Sequence, residues 1–156
     1  MSLTTFTTSW ITRIEKGLLL LVYYPYKIKR KNKYFKFQNK NYKYLICQYN
    51  RTWFNERTVE IPIVLNLIKE YKKKEILEIG NVLSHYIKFK HDIIDKYEKA
   101  KNVINADIVE FNNDKKYDLI IVISTLEHIG WDEKPRDEEK ILKAISNLGT
   151  VPELGR

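Results

Sequence analysis

Cysteine is almost absent from this 156-residue chain. Cys47 stands alone, which excludes an internal disulfide framework and fits a reducing, cytoplasmic setting. A single thiol of this kind is expected to be a small buried hydrophobe. Histidine is scarce as well. His85, His91 and His128 show no zinc-type spacing, so no metal centre is expected. With five glycines the chain has neither G-x-G-x-x-G nor a P-loop, which argues against a dinucleotide oxidoreductase and a P-loop NTPase. Long apolar runs are missing too. Leu18 to Tyr24 is a run of seven, against the ~20 residues a bilayer requires, so no transmembrane segment is expected. The basic stretch after that run, and the lack of a small-residue cleavage site, argue against a signal peptide. The run itself is expected to pack on the domain. A surface anchor is the alternative, because Lys27-Ile28-Lys29-Arg30-Lys31 follows it.

Acidic residues are also lacking, but only in one third of the chain. Residues 1–51 hold eleven Lys or Arg and the single acid Glu15, a net of +10, whereas the rest carries a net of −2. That asymmetry points to a polyanionic partner such as nucleic acid, a phosphorylated substrate or an acidic membrane face. The composition is otherwise globular: 44% hydrophobic, 31% charged, with eleven Tyr and three Trp that need burial or a stacking partner. Tyr34-Phe35-Lys36-Phe37 and Tyr42-Lys43-Tyr44-Leu45-Ile46 flank a Gln38-Asn39-Lys40-Asn41 turn, the pattern of a β-hairpin. Its rings either face a core with the lysines in water, or stack bases while the ammonium groups meet phosphates.

Residues 1–54 therefore read as a basic, aromatic-rich extension with a hairpin, and 55–156 as a separate α/β domain. Pro62 is tolerable in the first turn of a helix, which predicts a helix from about Ile61 with Glu60 near its N-terminus. Val64, Leu67, Ile68 and Tyr71 then form its buried face. Beyond it, three short apolar runs end at carboxylates, Glu78 in EILEIGN, Asp95 in HDIIDKYE and Asp107 in INADIVEF, and a fourth opens at Asp118 in KKYDLIIVISTLEHIG. Parallel strands would deliver such acids to the C-terminal rim of a sheet, where ligands of open α/β sheets bind. A ligand with ribose hydroxyls, an adenine amine and a positive charge suits that row.

These residues resemble the Rossmann-like S-adenosylmethionine-dependent methyltransferases, over roughly Thr52 to Ile145, including a small prokaryotic branch of uncharacterised members. The resemblance implies a parallel sheet in the order 3-2-1-4 flanked by helices. Glu78, Gly80 and Asn81 would form the first cofactor loop, with Asn81 replacing a glycine in the left-handed backbone region. Asp95 would hold ribose, Asp107 and Ile108 would contact adenine, and Ser124 and Thr125 would lie beneath the transferred methyl. Arg57 would either reach the methionine carboxylate of the cofactor or pair with Glu56 or Glu60. His128, after strand four, is the candidate base if the acceptor must lose a proton, or else it packs its loop. Glu127, Trp131 and Asp132 could line the acceptor pocket. Family members continue with further strands, whereas here a helical pattern from Asp137 to Leu148 is followed only by a short tail. The sheet is thus expected to be truncated, with its fourth strand exposed at an edge. A shortened chain, a split or decayed gene, or a homo-oligomer covering that edge would each explain it. The expected activity is methyl transfer to a small-molecule or sugar-like acceptor, with nucleic acid second. The alternative is a non-catalytic binding module on a truncated methyltransferase fold, binding nucleic acid through its basic N-terminal region.

Overall fold

The computed structural model describes residues 3–112 and 115–148, with side chains from residue 17 onward. The tail 149–156, on which the expected truncation rests, lies outside the described residues. The chain divides into two compact units, Met1–Ile63 and Val64–Arg156.

The first unit opens with helix α1, Leu3–Arg30, followed by strands β1, Tyr34–Phe37, and β2, Lys40–Lys43. The Leu18–Tyr24 run does not pack as expected. Tyr23 is buried, but Leu18, Leu20, Leu21, Val22 and Tyr24 are exposed. The hairpin forms with a tighter turn than the sequence indicated. Gln38 and Asn39 both take positive φ, 45° and 62°, so Lys40 and Asn41 belong to β2 and Phe37 pairs with Lys40. Two central residues at positive φ match the right-handed twist of the flanking strands. Phe35 stacks on Tyr42 at 5.4 Å and lies 5.0 Å from Tyr44, so these three rings bury one another, while Tyr34 and Phe37 stay exposed. Cys47 is free and only partly buried. Beside it Thr52, fully buried, donates to the Leu45 carbonyl and accepts the Cys47 N–H.

Helix α2 runs Arg57–Glu70 and so begins a full turn before the expected Ile61, leaving Pro62 inside it. Proline at this position removes one donor and frees the carbonyl four residues earlier. That carbonyl, on Thr58, instead accepts the Leu45 N–H at 2.9 Å, while the Thr58 hydroxyl returns a bond to the Leu45 carbonyl at 2.9 Å. A partner distant in sequence thus satisfies the group that proline disrupts. The buried face is also turned from expectation: Ile61 and Ile68 are buried, Val64 and Tyr71 only partly, and Leu67 is exposed.

The second unit holds four parallel strands, β3 Ile76–Ile79, β4 Asp92–Ile94, β5 Val103–Ile104 and β6 Leu119–Val122, in the order β5-β4-β3-β6. Strand β3 is central and buried at every residue, as a parallel strand covered on both faces must be. Helix α3, Lys140–Leu148, inserts Ala144 into a core of Leu77, Ile79, Ile94, Ile108 and Tyr117. It starts three residues after Asp137, whose carboxylate accepts the Glu139 N–H at 3.0 Å. Among the described residues no helix is long and apolar enough to cross a membrane.

Candidate functional site

Because β3, β4, β5 and β6 run parallel, the loops leaving them converge on one rim. There a cavity of about 270 Å³ lies within the second unit, lined by Gly80, Asn81, Asp95, Asp107, Ile108, Ser124, Thr125 and His128 among others. Its apolar wall includes Ile79, Ile94, Ala106, Ile108 and Ile129. The volume falls just below the ~300–1,000 Å³ usual for small-molecule sites, about the size of a nucleoside. Of the cofactor-binding residues singled out from the sequence, Glu78 and Arg57 do not line it. Arg57 belongs to the first unit, in the opening turn of α2. Asp118 sits at the opposite rim, where its carboxylate accepts the Glu75 N–H at 2.9 Å.

Glu78 is wholly buried and turned inward. Its Oε1 accepts the N–H groups of Val82 and Leu83, at 2.9 and 2.7 Å, and its Oε2 meets His91 Nε2. The carboxylate therefore shapes the first loop from below rather than facing a ligand. Gly80 follows with φ +83°, and a Cβ there would overlap the Thr125 side chain. The glycine is required by contact between two loops of the rim. Asn81 does not take the left-handed conformation expected of it; Gly80 alone bends the loop. The Asn81 N–H is directed instead to Asp95 Oδ2 at 2.9 Å, and its Nδ2 to Glu98 Oε1 at 2.7 Å. Asn81 Oδ1 is buried with no partner among the described residues.

Asp95 Oδ1 accepts the N–H groups of Tyr97 and Glu98, at 2.8 and 2.7 Å. With the Asn81 bond, three of the roughly four acceptor positions of the carboxylate are engaged. Asp107 is similarly engaged: Oδ2 accepts Lys140 Nζ at 2.6 Å and Lys96 Nζ at 2.9 Å, and Oδ1 accepts the Val109 N–H at 3.1 Å. Both lysines also reach Glu133, so two carboxylates and two ammonium groups close into one cluster. Only the fold joins these four; their separations in sequence follow no recognisable motif. Beyond the cluster, Ser124 leaves β6 at φ 43°, and the Thr125 hydroxyl donates to the Ile123 carbonyl at 3.0 Å. His128 Nδ1 lies 2.6 Å from Asp132 Oδ2, one helical turn apart in sequence and both largely exposed. Asp132 lines the cavity, whereas Glu127 and Trp131 do not. Arg136 covers the exposed Trp131 ring.

Burial works against a charged Asp107, but the bonds from Lys140 and Lys96 outweigh it and hold its pKa at about 2 instead of 3.8. A depressed carboxyl pKa stabilises the fold fully above the unfolded value and loses that contribution as pH falls through the folded value. Unfolding free energy should therefore drop by on the order of 2 kcal/mol between about pH 4 and about pH 2. In urea titrations across that window, Asp107→Asn should flatten the slope; an unchanged slope would remove Asp107 as its source.

Among the described residues, no three His, Cys, Asp or Glu side chains converge as a metal site. No family model matches this chain, and neither a curated protein nor a solved structure does.

Proposed function

We propose that the rim cavity binds the nucleoside end of S-adenosylmethionine and that the chain is a methyltransferase of the Rossmann-like class. The observation carrying this reading is the convergence of Gly80, Asn81, Asp95, Asp107, Ile108, Ser124, Thr125 and His128 on one apolar-walled cavity at the carboxyl ends of parallel strands. A sheet ordered β5-β4-β3-β6 accords with the core of that fold class, and ligands of open α/β sheets bind at this rim. Ile94, Ala106 and Ile108 supply an apolar surface for a flat base. Asp95 retains one acceptor position for a ribose hydroxyl, and the loop bonds that engage the others hold it rigid.

When bound, the cofactor supplies a methyl group already activated by its sulfonium, so the residues contribute alignment. Ser124 and Thr125 line the cavity at the exit of β6. If His128 Nδ1 donates to Asp132, Nε2 carries the lone pair, which could take a proton from an acceptor hydroxyl. The proposed acceptor is a small hydroxylated molecule.

Calorimetric titration with S-adenosylmethionine and S-adenosylhomocysteine tests the reading. Dissociation constants of roughly 1–100 μM are expected, within the usual range for enzyme ligands, and Asp95→Asn should weaken them at least ~tenfold. No heat from the folded chain, or equal affinity for Asp95→Asn, would overturn it. One observation favours the rival, a binding module without chemistry: the carboxylates of Asp95 and Asp107 are mostly engaged within the protein. Cofactor binding without transfer to any hydroxylated acceptor would select that rival.

A further inference from the structure

Helix α1 turns an apolar stripe outward. Leu18, Leu21, Val22, Pro25 and Ile28 recur at i, i+3, i+4, i+7 and i+10, the spacing of one helical face. Leu18 is 58% exposed, Leu21 71%, Val22 54% and Ile28 75%. A stripe with this periodicity normally faces a core. Here the opposite side is the one in contact with the unit: Tyr23, 4% exposed, packs on Trp53 at 4.6 Å, and Arg30 lies over the rings of Tyr26 and Tyr44. The helix is held by its aromatic side, and its aliphatic side is left to solvent. A contiguous exposed patch of large aliphatic side chains marks an interaction surface.

Charge selects the partner. Between Gly17 and Asn55 the chain has nine Lys or Arg and no acid, and Lys27, Lys29, Arg30, Lys31 and Lys33 cluster where the stripe ends. Cations in a last turn also complement the helix dipole, but the dipole gives no reason for leucines in water. A second copy would bring two such cationic surfaces together, at a Coulombic cost. Aliphatic side chains beside cations match the acyl and phosphate layers of an anionic leaflet. Leu18 to Ile28 rises only ~15 Å along the axis, about half the hydrocarbon thickness, so the helix would lie on a bilayer and not cross it. We propose that α1 docks on anionic phospholipid surfaces, seating Leu18, Leu21, Val22 and Ile28 among the acyl chains while the exposed Lys29, Lys31 and Lys33 meet lipid phosphates.

Flotation of the full chain with lipid vesicles tests this. The vesicles are phosphatidylcholine alone, or phosphatidylcholine with a third phosphatidylglycerol. The chain should float with the anionic vesicles at low salt, at least ~tenfold better than with neutral ones, since each cation near an anionic surface adds about fivefold. High salt should weaken the binding. Leu21→Asn with Val22→Asn, and separately Lys29→Gln, Lys31→Gln and Lys33→Gln together, should each weaken it about tenfold or more. All five residues are exposed, so the fold should survive, as circular dichroism can verify. Absence of flotation with anionic vesicles would overturn the proposal, as would full binding by the Asn variant. Self-association without lipid that the Asn variant abolishes would assign the face to a second copy. Salt-sensitive binding of a single-stranded oligonucleotide without flotation would assign the cations to nucleic acid.

Discussion

Glu78→Ala should lower the unfolding free energy by roughly 3–5 kcal/mol, the usual cost of removing one member of a buried charged or hydrogen-bonded group. The Glu78 carboxylate is wholly buried and serves three donors or partners at once, the N–H groups of Val82 and Leu83 and the imidazole of His91. Alanine leaves both backbone donors without an acceptor and abandons an imidazole whose side chain is only 2% exposed. His91 Nδ1 is already buried without a partner among the described residues, so losing the Nε2 contact leaves the whole ring unsatisfied. Glu78→Gln is the informative companion. It keeps the volume and one strong acceptor for the two N–H groups, so its loss should be about 1–2 kcal/mol. Urea unfolding gives the energies, and amide exchange at Val82 and Leu83 reports whether the loop after β3 opens first. A Glu78→Ala protein within ~1 kcal/mol of the parent would mean that water reaches these groups and that the buried network is not holding the loop.

Gly130→Ala should cost about 2–4 kcal/mol and weaken any ligand bound in the rim cavity. Gly130 has φ +76°, and a Cβ added there would overlap the Asp137 carbonyl oxygen and fall 2.9 Å from Lys140 Cβ. Backbone oxygen cannot rotate away as a side chain could, so the loop must separate. Asp137 bonds back to the Gly130 carbonyl at 3.0 Å, and its own carbonyl accepts the Lys140 N–H at the start of α3. Displacing Asp137 therefore displaces Lys140, which holds Asp107 and Glu133 together at the cavity edge. Gly17→Ala is the control. It lies in a helix with open space around its Cα, where alanine should be neutral or stabilising by up to ~1 kcal/mol. Thermal melts and ligand titrations of both variants check the contrast. Equal stability for Gly130→Ala and its parent would show that the loop relaxes freely.

How far the site could be read from residues alone is clearest in the acids. A carboxylate directly after a short apolar run is a local feature, so the delivery of Asp95 and Asp107 to one rim with Gly80 was legible from spacing and from the geometry of parallel strands. The hairpin was legible too, because aromatic and lysine residues flank a polar tetrapeptide; its two-residue turn was not, since positive φ at Gln38 and Asn39 depends on strand twist. The direction in which a buried acid turns has no sequence signal. Glu78 looks like Asp95 in its local context, yet one faces inward to Val82, Leu83 and His91 while the other borders the cavity.

By itself, the sequence determined an α/β chain with a parallel sheet, a separate basic hairpin and a rim where strand-end acids and a lone glycine meet. These follow from periodicity and turn chemistry, which act over a few neighbouring residues. Tertiary structure alone decided the early start of α2, because the acceptor freed by Pro62 is matched by Leu45, thirteen residues before Thr58. It alone placed Lys96, Lys140 and Glu133 around Asp107, and it alone turned Leu18, Leu21, Val22 and Ile28 outward. Those outcomes depend on which groups distant in sequence become neighbours in space, and a buried donor, acceptor or charge takes whichever partner the packing brings within reach.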